Sequence, residues 1–276
     1  SDKTLLLSYN GSELSITELP NLPFAVKNAT ATTIGSTVYL VGGELANGSS
    51  SAQFLMLDAN APDKGWQPLR DFPTPISGAT VTAQQDGEEI AVFVFGGRAK
   101  RNAATTKFYA SVYRYRPSAR TWEKRNDIRL ANNTPLPLAM STAASVGASH
   151  ILLYSGDTGE TFNSVETAIN QGETTQRDSL WQHHAGFNHK ILVYNTITDA
   201  WFEAGTAQNK PVAVTADVSD GKSVYIAGGE IRPGVRSPYI TQLSFSTKTD
   251  FGWINYLVLI LYFGGMLMLG FFFMKK

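Results

Sequence analysis

The sequence contains no cysteine, which excludes disulfide bonds, thiol catalysis and cysteine-ligated metal sites. Charged residues are scarce, at 17% of the 276 residues, and 23 Lys and Arg balance 23 Asp and Glu. This balance argues against nucleic acid as a partner, because a polyanion requires a basic surface. Gly, Thr, Ser and aromatic residues are plentiful instead, a mixture that favours short strands and tight turns over helices.

Charge is missing altogether from Phe251 to Met274. At about 1.5 Å rise per residue, a helix of this length crosses a bilayer core of roughly 30 Å with some tilt. We therefore predict a transmembrane helix over residues 253–274, against the alternative of a buried core helix.

Two lysines, Lys275 and Lys276, follow the apolar segment. Cytoplasmic flanks of membrane helices are enriched in Lys and Arg, so we expect this end to be cytoplasmic. The preceding part of the chain then lies on the periplasmic or extracytoplasmic side, attached to the membrane. No signal peptide is visible at Ser1, and we expect a processed or truncated start.

Residues 1–247 contain a repeated pattern in which an apolar strand ends in a pair of small residues, a second strand follows, and a Trp opens a third. The pairs are Gly42-Gly43, Gly96-Gly97, Ser155-Gly156 and Gly228-Gly229, and the tryptophans are Trp66, Trp122 and Trp201. A period of about 50 residues with four strands per unit is the signature of a kelch β-propeller. These motifs resemble the kelch repeat, so we predict an all-β propeller over 1–247, a short linker over 248–252 and then the helix.

The strand count is uneven at both ends of this domain. Residues 4–10 and 14–20 read as the last two strands of a blade, three whole blades follow, and the last blade stops after three strands. We expect that the chain lacks an N-terminal piece and that the complete protein has six blades. We assign the tryptophans to packing between blades, because a small sheet cannot bury both faces alone.

We expect the candidate functional residues on one face of such a propeller. Strands within a blade alternate in direction, so loops joining strands two and three emerge beside the loops joining blades. The most informative loop runs from Glu230 to Arg236 and contains Pro233-Gly234, which fixes a turn. A stiff loop with one acid and one planar cation suits an anionic, hydroxylated substrate. The alternative is an ordinary hairpin loop with a surface ion pair.

This loop resembles the corresponding loop of the periplasmic sialic acid mutarotases (N-acetylneuraminate epimerases), which are kelch propellers. The family pattern is Gly-Glu, two residues, Pro-Gly, an aliphatic residue and Arg, as in residues 229–236 here. The stretches 62–73 and 186–192 also resemble this family. The blade order looks circularly permuted relative to the soluble enzymes.

The resemblance implies roles for five residues. Glu230 is the expected acid/base, and Arg236 is expected to bind or polarise the substrate near its carboxylate. Arg98, Asn188 and Lys27 are secondary candidates for substrate binding, against the alternatives of solvated loop charges and a turn-capping amide. The chemistry requires no cofactor and no metal.

The histidines His183, His184 and His189 form a second candidate cluster, at the end of a chain insertion over 159–188 and just after it. A metal site there is the weaker interpretation, because no carboxylate pattern accompanies the three imidazoles. The insertion is rich in Thr, Gln, Glu and Asn. We expect a lid anchored by Trp181 and Phe187, against the alternative of a disordered surface loop.

The apolar C-terminal segment resembles the first transmembrane helix of sodium/solute symporters. The matching stretch is residues 255–266. The combined resemblance implies a mutarotase that supplies sialic acid, or a related keto sugar acid, to a fused symporter. The competing hypotheses are a non-catalytic sugar-binding propeller and a protein-interaction platform attached to a transporter.

Overall fold

The computed structural model describes residues 1–100, 106–220, 223–244 and 252–274. The chain divides into two compact units, Ser1–Leu243 and Ser244–Lys276. Most of the predicted linker 248–252 lies outside the described residues, as do Lys275 and Lys276.

The first unit is built from antiparallel sheets whose strands follow one another in chain order. A hairpin comes first, with strands Thr4–Tyr9 and Leu14–Leu19.

Four sheets, named blades I to IV, follow the hairpin. Blade I consists of Thr30–Ile34, Thr37–Val41, Phe54–Asp58 and Gln67–Pro68. Blade II consists of Thr80–Gln85, Ile90–Phe95, Val112–Arg116 and Thr121–Arg125. Blade III consists of Thr142–Val146, His150–Tyr154, Lys190–Asn195 and Ala200–Thr206, and blade IV of Asp217–Ser219, Ser223–Ala227 and Ile240–Ser244. The predicted β-propeller architecture is confirmed, and the described residues form three four-stranded blades and one of three strands.

The hydrophobic core lies between neighbouring blades. The second strand of blade II, Ile90–Phe95, is buried at every position after the first. Its alternate side chains belong to two hydrophobic clusters, one on each face. Phe93 and Phe95 pack with Ile151 and Leu153 of blade III. Val92 and Val94 pack with residues of blade I. A strand covered on both faces needs a continuous apolar run, and this sequence supplies one.

Trp122 and Trp201 join blades II and III to the blade before each. The Trp122 ring of blade II lies 4.8 Å from the Phe54 ring of blade I. Its indole N–H donates to the Arg70 carbonyl oxygen at 2.9 Å. Trp201 of blade III donates in the same way to the Asn126 carbonyl oxygen at 3.2 Å. These contacts are those of inter-blade packing, as the repeat indicates.

The paired glycines allow close approach of backbone from different blade segments. Gly96 has φ +58°, and a Cβ added there would lie 2.0 Å from the Leu138 carbonyl oxygen.

We expect Gly96→Ala to lower the free energy of unfolding by about 3 kcal/mol, through strain and displaced backbone. Gly35 is the matched control, because it also has φ +58° but nothing within 4 Å. Gly35→Ala should cost only about 1 kcal/mol. Urea denaturation in mild detergent, followed by tryptophan fluorescence, measures both; equal losses would remove the steric argument.

The insertion within blade III is helical, which differs from the alternative of a disordered surface loop. It folds as α1, Glu160–Gln171, and α2, Thr174–Gln182. Other short elements are the 3-10 helix Pro62–Lys64 and three two-stranded ribbons: Val26–Lys27 with Glu44–Leu45, Arg98–Lys100 with Thr106–Phe108, and Glu230–Arg232 with Val235–Arg236.

The second unit contains the helix α3, Trp253–Met274. Among the described residues it is the one helix long and apolar enough to cross a membrane, with mean hydropathy 2.3. This property is one of length and composition.

Candidate active site

One charged residue from each blade occupies the same structural position. It follows the small-residue pair at the end of the second strand and pairs with the segment that enters the blade. The pairs are Glu44 with Lys27, Arg98 with Ser77, Asp157 with Ala139, and Glu230 with Ala213. The predicted meeting of these two sets of loops on one face is therefore confirmed.

A chain of backbone hydrogen bonds connects the neighbouring entry segments. Gly78 N–H donates to the Asn28 oxygen at 2.8 Å, Met140 N–H to the Gly78 oxygen at 2.8 Å, and Val214 N–H to the Met140 oxygen at 3.3 Å. All four residues have left-handed backbones, with φ between 54° and 58°. Val214 is β-branched and rarely adopts this conformation, so the surrounding structure must hold it there. The bonds fix the relative positions of the charged residues.

A cavity of about 560 Å³ opens beside these residues. Its charged lining residues are Arg98, Lys100, Asp157, Glu166 and Glu230. The insertion supplies much of its apolar lining, through Phe162, Val165, Ile169, Trp181 and Phe187. Apolar walls with a few convergent charges are typical of small-molecule sites.

Arg98 presents a cation to this cavity. Its guanidinium carbon lies 4.6 Å from the centre of the Phe162 ring. Burial lowers the pKa of Arg98, and the carboxylates of Asp157, Glu44 and Glu166 oppose that change. Among the described residues, no carboxylate oxygen lies within 4.0 Å of the guanidinium. A planar, partly desolvated guanidinium suits a bidentate contact with a ligand carboxylate.

The predicted pair Glu230 and Arg236 is adjacent, but its members differ in exposure. The two residues are cross-strand partners in the last ribbon, and Gly234 in its turn has φ +76°. Arg236 Nη2 lies 3.6 Å from Glu230 Oε1, with side-chain exposures of 69% and 21%. Glu230 lines the cavity, whereas Arg236 is not among the lining residues.

Lys27 and Asn188 lie away from the cavity lining. Lys27 forms an ion pair with Glu44 at 2.9 Å. The Asn188 side-chain oxygen accepts from the Lys190 N–H at 3.2 Å, and its amide donates to the Lys190 carbonyl at 3.2 Å. These contacts match the alternatives of a solvated charge and a turn-capping amide.

Sequence reasoning missed Asp157. Its Oδ1 accepts from the Gly159 N–H at 2.8 Å, beside the start of α1. The signal was present in the repeat, because Asp157 follows Ser155-Gly156 as Glu230 follows its glycine pair. The variant pair, with Ser in place of Gly, concealed it.

Of the three candidate histidines, His184 lines the cavity. Burial lowers the pKa of its imidazole; Asp157 opposes this shift and Arg232 adds to it. Within the described ranges, no group of three His, Cys, Asp or Glu side chains is placed to hold a metal ion.

The insertion is tied to blades on two sides. Glu166 of α1 accepts from the Thr106 N–H at 2.7 Å and from its hydroxyl at 2.9 Å. Arg232 of the last ribbon donates to the Gln182 carbonyl oxygen, at the end of α2, at 2.7 Å. The helices thus form a wall of the cavity held to blades II and IV.

We expect Arg232→Ala to loosen α2 without unfolding the propeller. One exposed hydrogen bond contributes about 1 kcal/mol, so amide exchange in residues 174–182 should quicken roughly fivefold. Arg177→Ala is the control, because its side chain contacts Asp178 and the Trp181 ring, which both belong to α2. Hydrogen–deuterium exchange mass spectrometry distinguishes the two; unchanged exchange in Arg232→Ala would exclude this contact as a tether.

Comparisons with known proteins agree with this architecture. The family model for N-acetylneuraminate epimerase matches residues 19–262. The N-acetylneuraminate epimerase of Vibrio vulnificus (strain YJ016) is 29% identical over 238 residues, which is 82% of this chain and 59% of the relative. The N-acetylneuraminate epimerase of Haemophilus influenzae (strain PittEE) is 28% identical over 238 residues, which is 83% of this chain and 60% of the relative.

A solved structure, that of YjhT, superimposes with a TM-score of 0.67 at 25% identity, covering 83% of this chain and 64% of that one. The chain spans about three-fifths of the length of the curated relatives it matches. With a family model matched over most of its residues, the chain belongs to the N-acetylneuraminate epimerase family.

Proposed function

We propose that this protein is a mutarotase that interconverts the α and β anomers of sialic acid. The observation that carries the proposal is the convergence of Arg98 and Glu230 on one cavity. The substrate has a carboxylate for the cation and an anomeric hydroxyl for the acid/base. The names of the curated relatives, N-acetylneuraminate epimerases, support this substrate.

The chemistry requires proton transfer together with the opening and closing of one ring C–O bond. Glu230 takes the proton of the anomeric hydroxyl, the ring C–O bond breaks, and the ring oxygen receives a proton to give the open-chain keto form. Rotation about the adjacent bond and the reverse steps close the ring on its other face. A positioned side chain contributes about 10²- to 10⁴-fold to such a transfer. The reaction calls for no cofactor.

The two arginines have different roles in this proposal. Arg98 binds the substrate carboxylate within the cavity, next to the Phe162 ring. Arg236 contacts Glu230 from outside the cavity, at 3.6 Å, and orients its carboxylate. Lys27 and Asn188 are not assigned a contact with the substrate.

A proton NMR time course tests the activity. Freshly dissolved sialic acid begins as mostly one anomer, and the full chain in detergent should speed its approach to equilibrium. Binding without acceleration would favour the second candidate, a sugar-binding propeller without catalysis. Neither binding nor acceleration would favour a protein-interaction platform.

We further propose that the propeller lies on the extracytoplasmic side and serves uptake through a fused symporter. The helix α3 supports this, since its length and hydropathy suit a membrane span. Protease added to intact spheroplasts should degrade the propeller. Protection of the propeller would contradict the proposed orientation.

A further inference from the structure

His184 has its acceptor nitrogen already engaged. The backbone N–H of Gly186 donates to His184 Nδ1 at 3.0 Å. Because a backbone amide can only donate, Nδ1 is the acceptor, and the neutral ring carries its hydrogen on Nε2. The imidazole therefore offers one N–H donor.

The position of the ring is well defined. It lies 5.5 Å from the buried ring of Phe187, and both residues line the cavity that contains Glu230. The charged groups that act on it are Asp157 of the blade III loop and Arg232 of the last ribbon. Burial holds the pKa of His184 below its ordinary value, so the neutral form predominates at neutral pH.

We propose that the Nε2–H group of His184 donates a hydrogen bond to the sugar ring oxygen as the ring opens, making it a second catalytic residue. This inference rests on the proposed function. Ring opening develops negative charge on that oxygen, and a fixed donor in a partly apolar cavity stabilises the charge.

The proton count balances without a further reactant. Glu230 accepts the proton of the anomeric hydroxyl, and the electrons of that O–H bond form the C=O bond. The electrons of the broken C–O bond go to the ring oxygen, which is held by His184 and then takes the proton back from Glu230. Both side chains return to their starting states.

Asp157 is the alternative candidate for this role, since it lines the same cavity. Its Oδ1 already accepts a hydrogen bond from Gly159. The role calls for an N–H or O–H donor, whereas the Asp157 carboxylate is held here as an acceptor. The donor role therefore falls to His184.

Two substitutions separate a donor role from a packing role. His184→Phe keeps a flat ring beside Phe187 but removes the donor, and kcat for anomer exchange should fall about 30-fold, the effect of a hydrogen bond to a charged group. His184→Gln retains an N–H and should stay within about fivefold of the wild type. His183→Phe is the control, because His183 contacts the Ser179 carbonyl and lies outside the cavity lining.

Each outcome is decisive. If the wild type accelerates exchange and His184→Phe matches it, or if His184→Gln falls as far as His184→Phe, the inference is overturned while the proposed function stands. If the wild type gives no acceleration, the proposed function fails and the inference with it. Long-range ¹H–¹⁵N spectra of the wild type give a check that requires no variant: the hydrogen should reside on Nε2, and its presence on Nδ1 would overturn the inference.

Discussion

Glu230→Gln is expected to lose at least about 100-fold in kcat for anomer exchange while keeping its fold. An amide of the same shape cannot accept the proton of the anomeric hydroxyl, and acid/base groups contribute about 10²- to 10⁴-fold. The structural cost is small, because the lost ion pair to Arg236 spans 3.6 Å and Arg236 is 69% exposed.

Glu44→Gln is the matched control for this substitution. Glu44 occupies the equivalent position in blade I, follows a glycine pair and forms an ion pair with Lys27, but it is not among the residues lining the cavity. Glu44→Gln should leave exchange within about twofold of the wild type, because an ion pair with an exposed lysine contributes little. Equal rates for the wild type and Glu230→Gln would remove Glu230 from the mechanism.

Arg98→Met should weaken sialic acid binding by a factor of roughly 30 to 4,000. Removing one partner of a desolvated charge pair costs about 2–5 kcal/mol, and each 1.4 kcal/mol is tenfold in Kd. Met retains an apolar stem against Phe162, whose ring lies 4.6 Å from the guanidinium carbon. Arg98→Lys should bind sialic acid with an affinity between those of the wild type and Arg98→Met, since it keeps the charge without the planar fork.

A methyl ester of sialic acid makes this test specific to the carboxylate. The ester should bind the wild type about as weakly as sialic acid binds Arg98→Met, and the double change should add little. Isothermal titration calorimetry measures all four affinities. If the binding free energies lost through the ester and through the substitution simply add, Arg98 does not contact the carboxylate.

The propeller was predictable because its signals are local and repeated. Continuous apolar strands such as Ile90–Phe95 end in small-residue pairs, and Trp66 and Trp122 follow their glycine pairs at similar intervals. The helices of the insertion were not predictable in this way. Their sequence is polar, and α1 is held through distant residues, with Glu166 on Thr106 and Phe162 against Phe108 at 5.5 Å.

The candidate site was predictable in part. Glu230 and Arg98 follow glycine pairs, and the shared position of the repeat brings them to one face. The sequence could not show that Arg236 points away from the cavity, because a ribbon's cross-strand pairing does not fix where a long side chain extends. His184 required the path of the insertion, which depends on the tether between Arg232 and Gln182.

The most direct test of the account is two-dimensional exchange NMR on an equilibrium mixture of sialic acid anomers with the full chain in detergent. The wild type and Glu44→Gln should give exchange cross-peaks between the α and β signals, and Glu230→Gln should give none above the protein-free sample. Cross-peaks of equal strength in Glu230→Gln, or their absence from the wild type, would contradict proton transfer by Glu230 in this cavity.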